Sequence, residues 1–465
     1  MRADSAAAAL GWWGIARLGL VQAMIGAVVV LTTSTLNRVM VVELALPALL
    51  PGLLVALHYA VQLSRPRMGF GSDLGARRTP WIFGGLAVLA LGGFGAAVAT
   101  AWMAARPAFG IALAVASFVL VGLGVSASGT SLLTLLAKRV DAPRRASAAA
   151  LVWVMMIVGF AVTAGVAGKL LDPYSPARLV AVSGAVSLVA LAVTLLALWR
   201  LEGHGGWVAS ATPTAMTVTR FRRALAEVWA EPQARRFTIF VFVSMLAYSA
   251  QDLILEPFAG VVFGFTPGES TQLSGVQHGG TLAGMLIAAL AGRRVAGTGF
   301  GSLRGWTVGG CLASCAALVG LAYAGLGAPD AVQGWPLRAN VFVLGVANGA
   351  FSIAAIGSMM ALAGHGRSER EGTRMGLWGA AQAIGFAGGG LVGTAASDLA
   401  RVWLGAPGPA YAVVFAAEAL LFVGAARLAA AITAPSSNTG TTALAGSACA
   451  GPEFTGEPRP AQEWR

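Results

Sequence analysis

The sequence predicts an all-α, polytopic membrane protein with twelve transmembrane helices arranged as two six-helix bundles. Of the 465 residues, 57% are hydrophobic and only 11% are charged, whereas soluble domains carry about a quarter charged residues. The apolar residues fall into runs of roughly 20, the length that a helix needs to cross a bilayer. These runs are rich in Gly and Ala and lack strand alternation, which favours helices over a β-barrel.

Each apolar run is a predicted span, because a helix satisfies its own backbone hydrogen bonds in lipid. The twelve predicted spans lie at 17–37, 46–64, 80–101, 109–137, 147–169, 178–199, 237–257, 271–291, 304–326, 338–363, 374–397 and 408–430. No Arg- or Lys-led leader with a cleavage site precedes the first span, so no cleaved signal peptide is predicted. Residues 431–465 are rich in Thr, Ser, Gly and Pro and are predicted to be a disordered cytoplasmic tail.

The distribution of basic residues predicts the orientation. Twenty of the 31 Lys and Arg residues lie in the connections after spans 2, 4, 6, 8 and 10 or at the adjoining span ends, and six lie on the opposite side. Cytoplasmic connections carry the excess of Lys and Arg, so both termini are predicted to be cytoplasmic. This topology and contact with anionic lipid account for the net charge of +12. No basic block carries interleaved aromatic residues, so the sequence predicts no nucleic-acid partner.

The spans divide into an N-terminal bundle (1–199) and a C-terminal bundle (237–430), joined by a cytoplasmic linker (200–236). Within the linker, VTRFRRALAEVWAEP (218–232) predicts an amphipathic helix that lies at the headgroup level or, alternatively, is simply solvated. Six spans on each side of a long connection are typical of major facilitator transporters.

The connection after span 2 supports this architecture. It reads GFGSDLGARR (69–78) and resembles the loop signature of the major facilitator superfamily, with matches at Gly69, Asp73, Arg77 and Arg78. Leu74 replaces a basic residue of the signature and Ala76 its second glycine. An Asp at a helix end that faces basic groups can latch one conformation. The alternative is that the connection serves only as a positive-inside topology signal.

Spans 1 and 7 carry charged and amide side chains at matching places. An unpaired charge in lipid costs roughly 2.5–3.5 kcal/mol, so partners are expected. We therefore predict that Arg38 pairs with Asp252 or Glu256 and closes the outer end of a central cavity; the alternative is that these groups reach the outer headgroups. The candidates for cavity or gating roles are Arg38 and Glu43 in TLNRVMVVELALP (35–47) and Gln251, Asp252 and Glu256 in SAQDLILEPF (249–258).

Two intramembrane histidines are candidate pigment ligands, because a neutral imidazole can ligate a metal, including the magnesium of a chlorin. They are His58 in VALHYAVQ and His278 in GVQHGG, beside Gln277, which joins the cavity candidates together with His278. Both histidines have the alternative role of hydrogen-bonded packing residues. The glycine-rich stretch GFAGGGLVG (385–393) fits either close helix packing or a groove for a planar guest.

The sequence predicts no catalytic residues and no enzyme activity. It contains no Walker A loop, no G-x-S-x-G elbow and no H-E-x-x-H motif. The three cysteines give neither a disulfide framework nor a metal site, since Cys311 and Cys315 share a helix face and Cys449 lies in the tail.

Two long blocks resemble the PucC/LhaA family of purple photosynthetic bacteria, the bacteriochlorophyll delivery branch of the major facilitator superfamily. The blocks are ARLGLVQAMIGAVVVLTTSTLNRVMVVELALPALLPGLLVALHYAVQLSRPRMGFGSDLGARRTPWI (16–82) and FVSMLAYSAQDLILEPFAGVVFGFTPGESTQLSGVQHGG (242–280), and the resemblance covers nearly all of 10–430. It implies a photosynthesis protein of the intracytoplasmic inner membrane that assembles light-harvesting complexes. It also implies transient contact with bacteriochlorophyll, with the α and β antenna polypeptides and with pigment-synthesis enzymes.

Three functions remain open at this level. The first is a chaperone-like assembly factor that handles or delivers bacteriochlorophyll. The second is a proton-coupled secondary transporter of a small amphiphile, with Asp252 or Glu256 as proton carrier. The third is a scaffold that contacts antenna helices without binding pigment.

Overall fold

A computed structural model describes residues 10–65, 77–141, 144–202, 226–294, 302–327, 334–363 and 371–432. The described residues form helices and no strands, which confirms the predicted all-α class. The long helices are α1 (Trp12–Glu43), α2 (Leu49–Val61), α3 (Thr79–Met103), α4 (Pro107–Arg139), α5 (Arg145–Leu171), α6 (Pro176–Leu198), α7 (Pro232–Phe263), α8 (Pro267–Arg294), α9 (Leu303–Leu326), α10 (Leu337–Ala363), α11 (Glu371–Leu404) and α12 (Pro407–Ala430).

Within the described residues, nine of these helices are long and apolar enough to cross a membrane, so the predicted number of twelve crossings stays a prediction. The three others are α2, which is apolar but short, and α8 and α11, which carry more polar residues. All three pack between the two halves of the molecule. A helix that faces protein rather than lipid can be shorter and more polar, because it need not match the hydrocarbon layer.

The helix packing follows one pattern twice. In the first half α1 packs on α5 and α6, α2 on α4, and α3 on α4 and α6. In the second half α7 packs on α11 and α12, α8 on α10, and α9 on α10 and α12. The halves meet where α5 packs on α8 and α2 on α11, with α1 lying against α7 and α8. Adding six to each helix number maps one set of contacts onto the other, which is a twofold pseudo-symmetry.

A capping arginine repeats with the same symmetry. Arg17 of α1 donates hydrogen bonds to the carbonyls of Ala197, at 2.8 Å, and Trp199, where α6 ends. Arg236 of α7 donates to the carbonyl of Ala431, at 3.4 Å, where α12 ends. Both satisfy carbonyls that a helix C-terminus leaves without an intrahelical partner.

The two ends of the bundle differ in charge. The end that holds the α1–α2, α3–α4, α5–α6, α7–α8 and α11–α12 connections (44–48, 104–106, 172–175, 264–266 and 405–406) is called here the low-charge end. The end that holds the connections rich in Lys and Arg is called the basic end. At the basic end, both carboxylate oxygens of Glu202 accept hydrogen bonds from the backbone N–H of Arg78, at 3.0 Å, where α3 begins. The amide of Thr79 donates to the same carboxylate at 2.7 Å.

Small residues let α3 and α4 approach closely. A Cβ on Gly124 would lie 2.4 Å from the backbone nitrogen of Leu89, and one on Gly85 would lie 2.5 Å from that of Ser128. No side chain fits at either contact, because both obstacles are backbone atoms. Helices in a bilayer associate through such close packing rather than through the hydrophobic effect.

Replacement of Gly124 by Leu is therefore expected to force α3 and α4 apart. Overpacking of this kind costs about 1–3 kcal/mol, which lowers the thermal unfolding midpoint of the detergent-purified protein. Gly129→Leu on the same helix is the matched control, because nothing lies within 4 Å of a Cβ at Gly129. Equal midpoints for the two variants would contradict the packing argument.

Candidate functional site

Polar side chains from three helices of both halves meet near the low-charge end. This set is called here the interface cluster. It comprises Ser34, Thr35, Asn37 and Arg38 of α1, Gln251, Asp252 and Glu256 of α7, and Thr271, Ser274, Gln277 and His278 of α8. All of them are buried except Asp252, which is partly exposed.

Two widened turns place the α1 members of the cluster. Leu31–Thr35 and Val39–Glu43 are π-helical, with the α-helical turn Leu36–Arg38 between them. The hydroxyls of Thr32 and Thr33 donate back to the carbonyl of Val29 at 2.8 and 3.0 Å. Such back-bonding bends a helix, and π-turns occur frequently at functional sites. With these turns included, α1 runs to Glu43, beyond the predicted span end at residue 37.

Hydroxyl and amide groups join the halves within the cluster. The Oγ atoms of Ser34 and Ser274 lie 3.2 Å apart, and the Oγ1 atoms of Thr35 and Thr271 lie 3.1 Å apart. Asn37 donates through Nδ2 to the carbonyl of Leu253 at 2.5 Å. Neutral hydrogen bonds of this kind contribute about 0.5–1.5 kcal/mol each, so each can break and re-form at small cost.

Arg38 binds a different acid from the predicted one. Its Nη1 lies 2.5 Å from Oε1 of Glu43, and its Nη2 donates to the carbonyl of Phe265 at 2.6 Å. The second π-turn brings Glu43 back beside the guanidinium, five residues along the chain. The predicted ion pair of Arg38 with Asp252 or Glu256 is therefore wrong. Arg38 does reach across to the second half, but through the backbone of the α7–α8 connection.

The guanidinium of Arg38 is tightly enclosed. Only 2% of its side chain is exposed, and a Cβ on Gly260 would lie 2.9 Å from Nη2. Tyr174, in the α5–α6 connection, lies within electrostatic range of the Arg38–Glu43 pair; burial, reinforced by the negative charge of Glu43, raises the pKa of its hydroxyl. The Tyr174 hydroxyl therefore stays neutral at physiological pH.

Glu256 is a buried acid whose carboxylate makes no hydrogen bond shorter than 3.5 Å to the described residues. Its side chain is 1% exposed; the hydroxyls of Ser34 and Ser274 face its carboxylate, and the guanidinium of Arg38 lies within electrostatic range. Asp252, one turn earlier, has an unbonded Oδ1 and lies within electrostatic range of Tyr59, Tyr248 and His278. An ionised carboxylate in such surroundings is costly unless it is paired, so Glu256 is poised to take up a proton or a cation.

The amides of the cluster also retain unused hydrogen-bonding capacity. Gln251 is fully buried, and neither its Oε1 nor its Nε2 is bonded. Gln277 is buried with an unbonded Nε2. Buried polar groups are usually hydrogen-bonded, so unsatisfied ones in a native structure call for an explanation such as a functional role.

The two candidate pigment ligands differ in the nitrogen lone pair that they leave available. Nδ1 of His278 lies 2.8 Å from the carbonyl of Ser274. A carbonyl only accepts, so Nδ1 carries the proton and Nε2 keeps its lone pair, an arrangement common in metal-binding histidines. The ring of Phe160 packs edge-on against His278 at 4.9 Å between centroids. The tautomer of His278 is therefore the one that a magnesium ligand needs, with the lone pair on Nε2.

His58 does not fit that role. Arg65 donates a hydrogen bond to Oε1 of Gln62, and Nε2 of Gln62 lies 2.9 Å from Nε2 of His58. The amide nitrogen can only donate, so it occupies the lone pair of His58 Nε2. Nδ1 then carries the proton and is unbonded. His58 thus ends a polar chain inside the first half and offers no lone pair to a pigment.

The predicted loop motif lies only partly within the described residues. Gly69 and Asp73 lie outside them, as do most of the predicted linker helix and most of the tail. Arg77 is exposed and Arg78 is buried at the start of α3. The latch role predicted for this motif stays a prediction.

Sequence reasoning singled out charges and missed the hydroxyls and aromatic residues of the interface. Ser34, Thr35, Thr271 and Ser274 stand in the runs LTTSTLN (31–37) and STQLS (270–274), which are unusually polar for spans. Tyr59 of α2 stacks on Phe386 of α11 at 5.3 Å between centroids, and Tyr248 packs edge-on against Phe386 at 5.9 Å. The sequence signal for these interface residues is the run of hydroxyl side chains in an otherwise apolar helix.

Solved structures with low sequence identity share the fold. A bacterial homologue of the human lysosomal transporter Spinster, inward-facing and unoccupied, superposes with a TM-score of 0.63 at 16% identity, over 90% of this chain and 95% of that chain. A peptide transporter, POT, in complex with sulfate superposes with a TM-score of 0.65 at 12% identity, over 93% and 98% of the two chains. The chain therefore shares its fold with these two transporters.

Curated relatives match nearly the whole chain. The "Bacteriochlorophyll synthase 44.5 kDa chain" of Rhodobacter capsulatus is 54% identical over 426 residues, which cover 91% of this chain and 96% of the relative. "Protein PucC" of the same species is 33% identical over 433 residues, 88% and 89% of the two chains. The family model described as PUCC protein matches residues 35–436. The chain is therefore a multi-pass membrane protein that belongs to the PucC family.

Proposed function

We propose that the chain is an assembly factor of light-harvesting complexes in the bacterial photosynthetic inner membrane. It handles bacteriochlorophyll and delivers it to the small α and β antenna polypeptides, with both termini in the cytoplasm. The observation that carries the proposal is the 54% identity, over almost the full length, to a protein named as a chain of bacteriochlorophyll synthase. That name also supports contact with pigment-synthesis enzymes, and we assign no catalytic step to this chain.

The geometry supports a role in handling a guest molecule. The fold is that of transporters, whose ligand sites lie at the interface between the repeats. In this chain the halves meet at a cluster with unsatisfied buried groups on Gln251, Glu256 and Gln277. A scaffold that only contacts antenna helices would have no need of such groups at its centre.

His278 would hold the magnesium of bacteriochlorophyll through Nε2, while Ser274 fixes its tautomer. When bound, the pigment supplies the light-absorbing macrocycle, and the protein supplies a ligand and a shield from water. Because His278 is buried, access to it requires the halves to separate. The hydroxyl contacts of Ser34 and Thr35 are weak enough to permit this.

Purification of the protein in a mild detergent, from the photosynthetic bacterium that makes it, tests the proposal. The expected result is a bacteriochlorophyll absorption spectrum and co-elution of small antenna polypeptides. Antenna polypeptides without pigment would favour the scaffold. Absence of both would overturn the proposal.

The two histidines provide a sharper test of pigment binding. His278→Leu is expected to lower the pigment bound per protein at least several-fold, because it removes the free imidazole lone pair. His58→Leu is the matched control and is expected to leave the bound pigment within about twofold, because its Nε2 is already occupied. The measurement is the ratio of pigment absorbance to protein after size-exclusion chromatography. An equal loss in both variants would exclude His278 as the ligand.

Glu256 favours a second candidate function, a proton-coupled secondary transporter of a small amphiphile. A buried carboxylate that no close ion pair holds in its charged form can bind and release a proton as its surroundings change. In this case uptake of the amphiphile into vesicles that contain the protein would follow a pH gradient. This uptake would be lost in Glu256→Gln or Asp252→Asn. Uptake that ignores the gradient would leave the assembly role as the better explanation.

A further inference from the structure

Asp398 of α11 caps a helix of the other half. Its Oδ1 accepts a hydrogen bond from the backbone N–H of Ala48 at 3.0 Å, and its Oδ2 accepts one from Leu49 at 2.7 Å. These amides lie where α2 begins, and α2 has no side-chain cap of its own. The first amides of a helix lack intrahelical partners and are usually capped by a nearby residue of the same chain segment. Here the cap comes from about 350 residues away and from the opposite half.

The contact one turn deeper is equally tight. A Cβ on Gly52 of α2 would lie 2.1 Å from Oγ1 of Thr394, four residues before Asp398 on α11. The start of α2 therefore contacts α11 at two levels, through the hydrogen bonds of Asp398 and through the close approach of Gly52 to Thr394. Any separation of α2 from α11 at the low-charge end must break both hydrogen bonds of Asp398.

The pseudo-symmetric contact between α5 and α8 is built differently. Asp172 follows the last residue of α5 and packs against Gly268 in the first turn of α8, where a Cβ would lie 2.3 Å from Oδ2. One turn earlier, a Cβ on Gly168 would lie 2.7 Å from Cγ of Gln272. The two acids thus occupy equivalent places at the N-termini of α2 and α8.

Helix α8, however, carries its own cap. Thr266 donates its amide to Oε2 of Glu269 at 3.0 Å, and Glu269 donates its amide to Oγ1 of Thr266 at 3.1 Å, which forms a capping box. Asp172 therefore adds a charge near the positive end of the helix dipole but replaces no missing cap. Opening at α5–α8 leaves α8 capped, whereas opening at α2–α11 leaves α2 uncapped.

We infer that Asp398 is an inter-half latch that keeps the low-charge end closed by supplying the N-cap of α2. The end opens when this carboxylate releases the amides of Ala48 and Leu49. Asp172, at the equivalent place beside α8, contributes less to closure than Asp398 does. The inference does not depend on the identity of the guest, because it concerns the equilibrium between closed and open forms of the protein alone.

Spin labels on opposite halves test the latch. Ala105 and Leu404 are exposed near the low-charge end, in the first and second half respectively, and both can be replaced by cysteine in a cysteine-free background of the full chain. Asp398→Ala is expected to raise the ratio of long to short inter-label distances about fivefold, the usual effect of losing a side-chain N-cap. Asp398→Asn keeps one acceptor and is expected to give a smaller rise, because Asn caps helices nearly as well as Asp.

Asp172→Ala is the matched control, and we expect it to change the ratio by no more than about twofold, because α8 keeps its own capping box and loses only a charge near its dipole. Hydrogen exchange of peptides covering residues 44–56 gives a second readout, with faster exchange expected in Asp398→Ala only. A variant that misfolds is recognised by aggregation and by faster exchange throughout the chain. Unchanged distances in a folded Asp398→Ala variant, or equal effects of the two alanine variants, would overturn the latch.

Discussion

Replacement of Glu231 by Ala is expected to destabilise the protein by about 3–5 kcal/mol, because it strands a buried charge. Arg374, near the start of α11, donates Nε and Nη2 to the two carboxylate oxygens of Glu231 at 3.0 and 2.8 Å. Glu231 is 38% exposed but Arg374 is only 1% exposed, so the cost comes from the guanidinium that stays buried. Its remaining nitrogen, Nη1, is unbonded. Glu231 precedes α7, so the pair fastens α7 to α11 at the basic end.

The matched control lies at the basic end of the first half. Arg144 pairs there with Asp141 at 2.5 Å, but the two side chains are 33% and 53% exposed. Asp141→Ala is expected to cost no more than about 1 kcal/mol, since exposed pairs are screened by solvent. Thermal unfolding of each variant in detergent, followed by tryptophan fluorescence, provides the comparison. Addition of Arg374→Met to Glu231→Ala is expected to recover most of the lost stability, because it removes the stranded charge. Comparable losses of stability in Glu231→Ala and Asp141→Ala would refute the argument.

Glu43→Ala is expected to have the second largest effect, about 2–4 kcal/mol. It leaves the guanidinium of Arg38 buried without an acid, although the carbonyl of Phe265 still accepts one hydrogen bond. We expect a smaller loss of stability than for Glu231→Ala, because Arg38 keeps its hydrogen bond to the carbonyl of Phe265. We also expect the α7–α8 connection to loosen, since Arg38 is then drawn toward other polar groups.

A double-mutant cycle identifies the partner of Arg38. Arg38→Met combined with Glu43→Ala is expected to show a coupling energy of about 1–3 kcal/mol, the range for residues in direct contact. The same cycle with Glu256→Gln is expected to show a clearly smaller coupling, because Arg38 donates no hydrogen bond to Glu256. A larger coupling to Glu256 than to Glu43 would restore the ion pair that the sequence predicted.

The prediction for Arg38 failed for a local reason. Matching the depth of spans 1 and 7 placed Arg38 opposite the acids of α7, and this placement assumed a regular helix. The turn Val39–Glu43 is π-helical, so Glu43 comes within reach of its own Arg38. This turn, VMVVE, carries no hydroxyl that could mark it in the sequence, and hydrophobic periodicity carries no signal for a π-turn.

The glycine-rich stretch 385–393 illustrates a choice that the sequence left open. It fitted either close packing or a groove for a planar guest. In the structure a Cβ on Gly389 would lie 2.2 Å from the carbonyl of Leu246, and one on Gly385 would lie 2.9 Å from that of Phe242. This face of α11 is therefore filled by α7, and the glycines serve close approach of the two helices.

The sequence by itself determined the class of protein, the approximate bounds of the helices and the division of charge between the two ends, because lipid imposes length and hydropathy on every span. Two long blocks of sequence also determined the family. The tertiary structure alone decided the partners: Glu43 for Arg38, Gln62 for His58, Ser274 for His278 and Asp398 for the start of α2. Such partners depend on the rotation of each helix about its axis and on contacts hundreds of residues apart, and composition fixes neither.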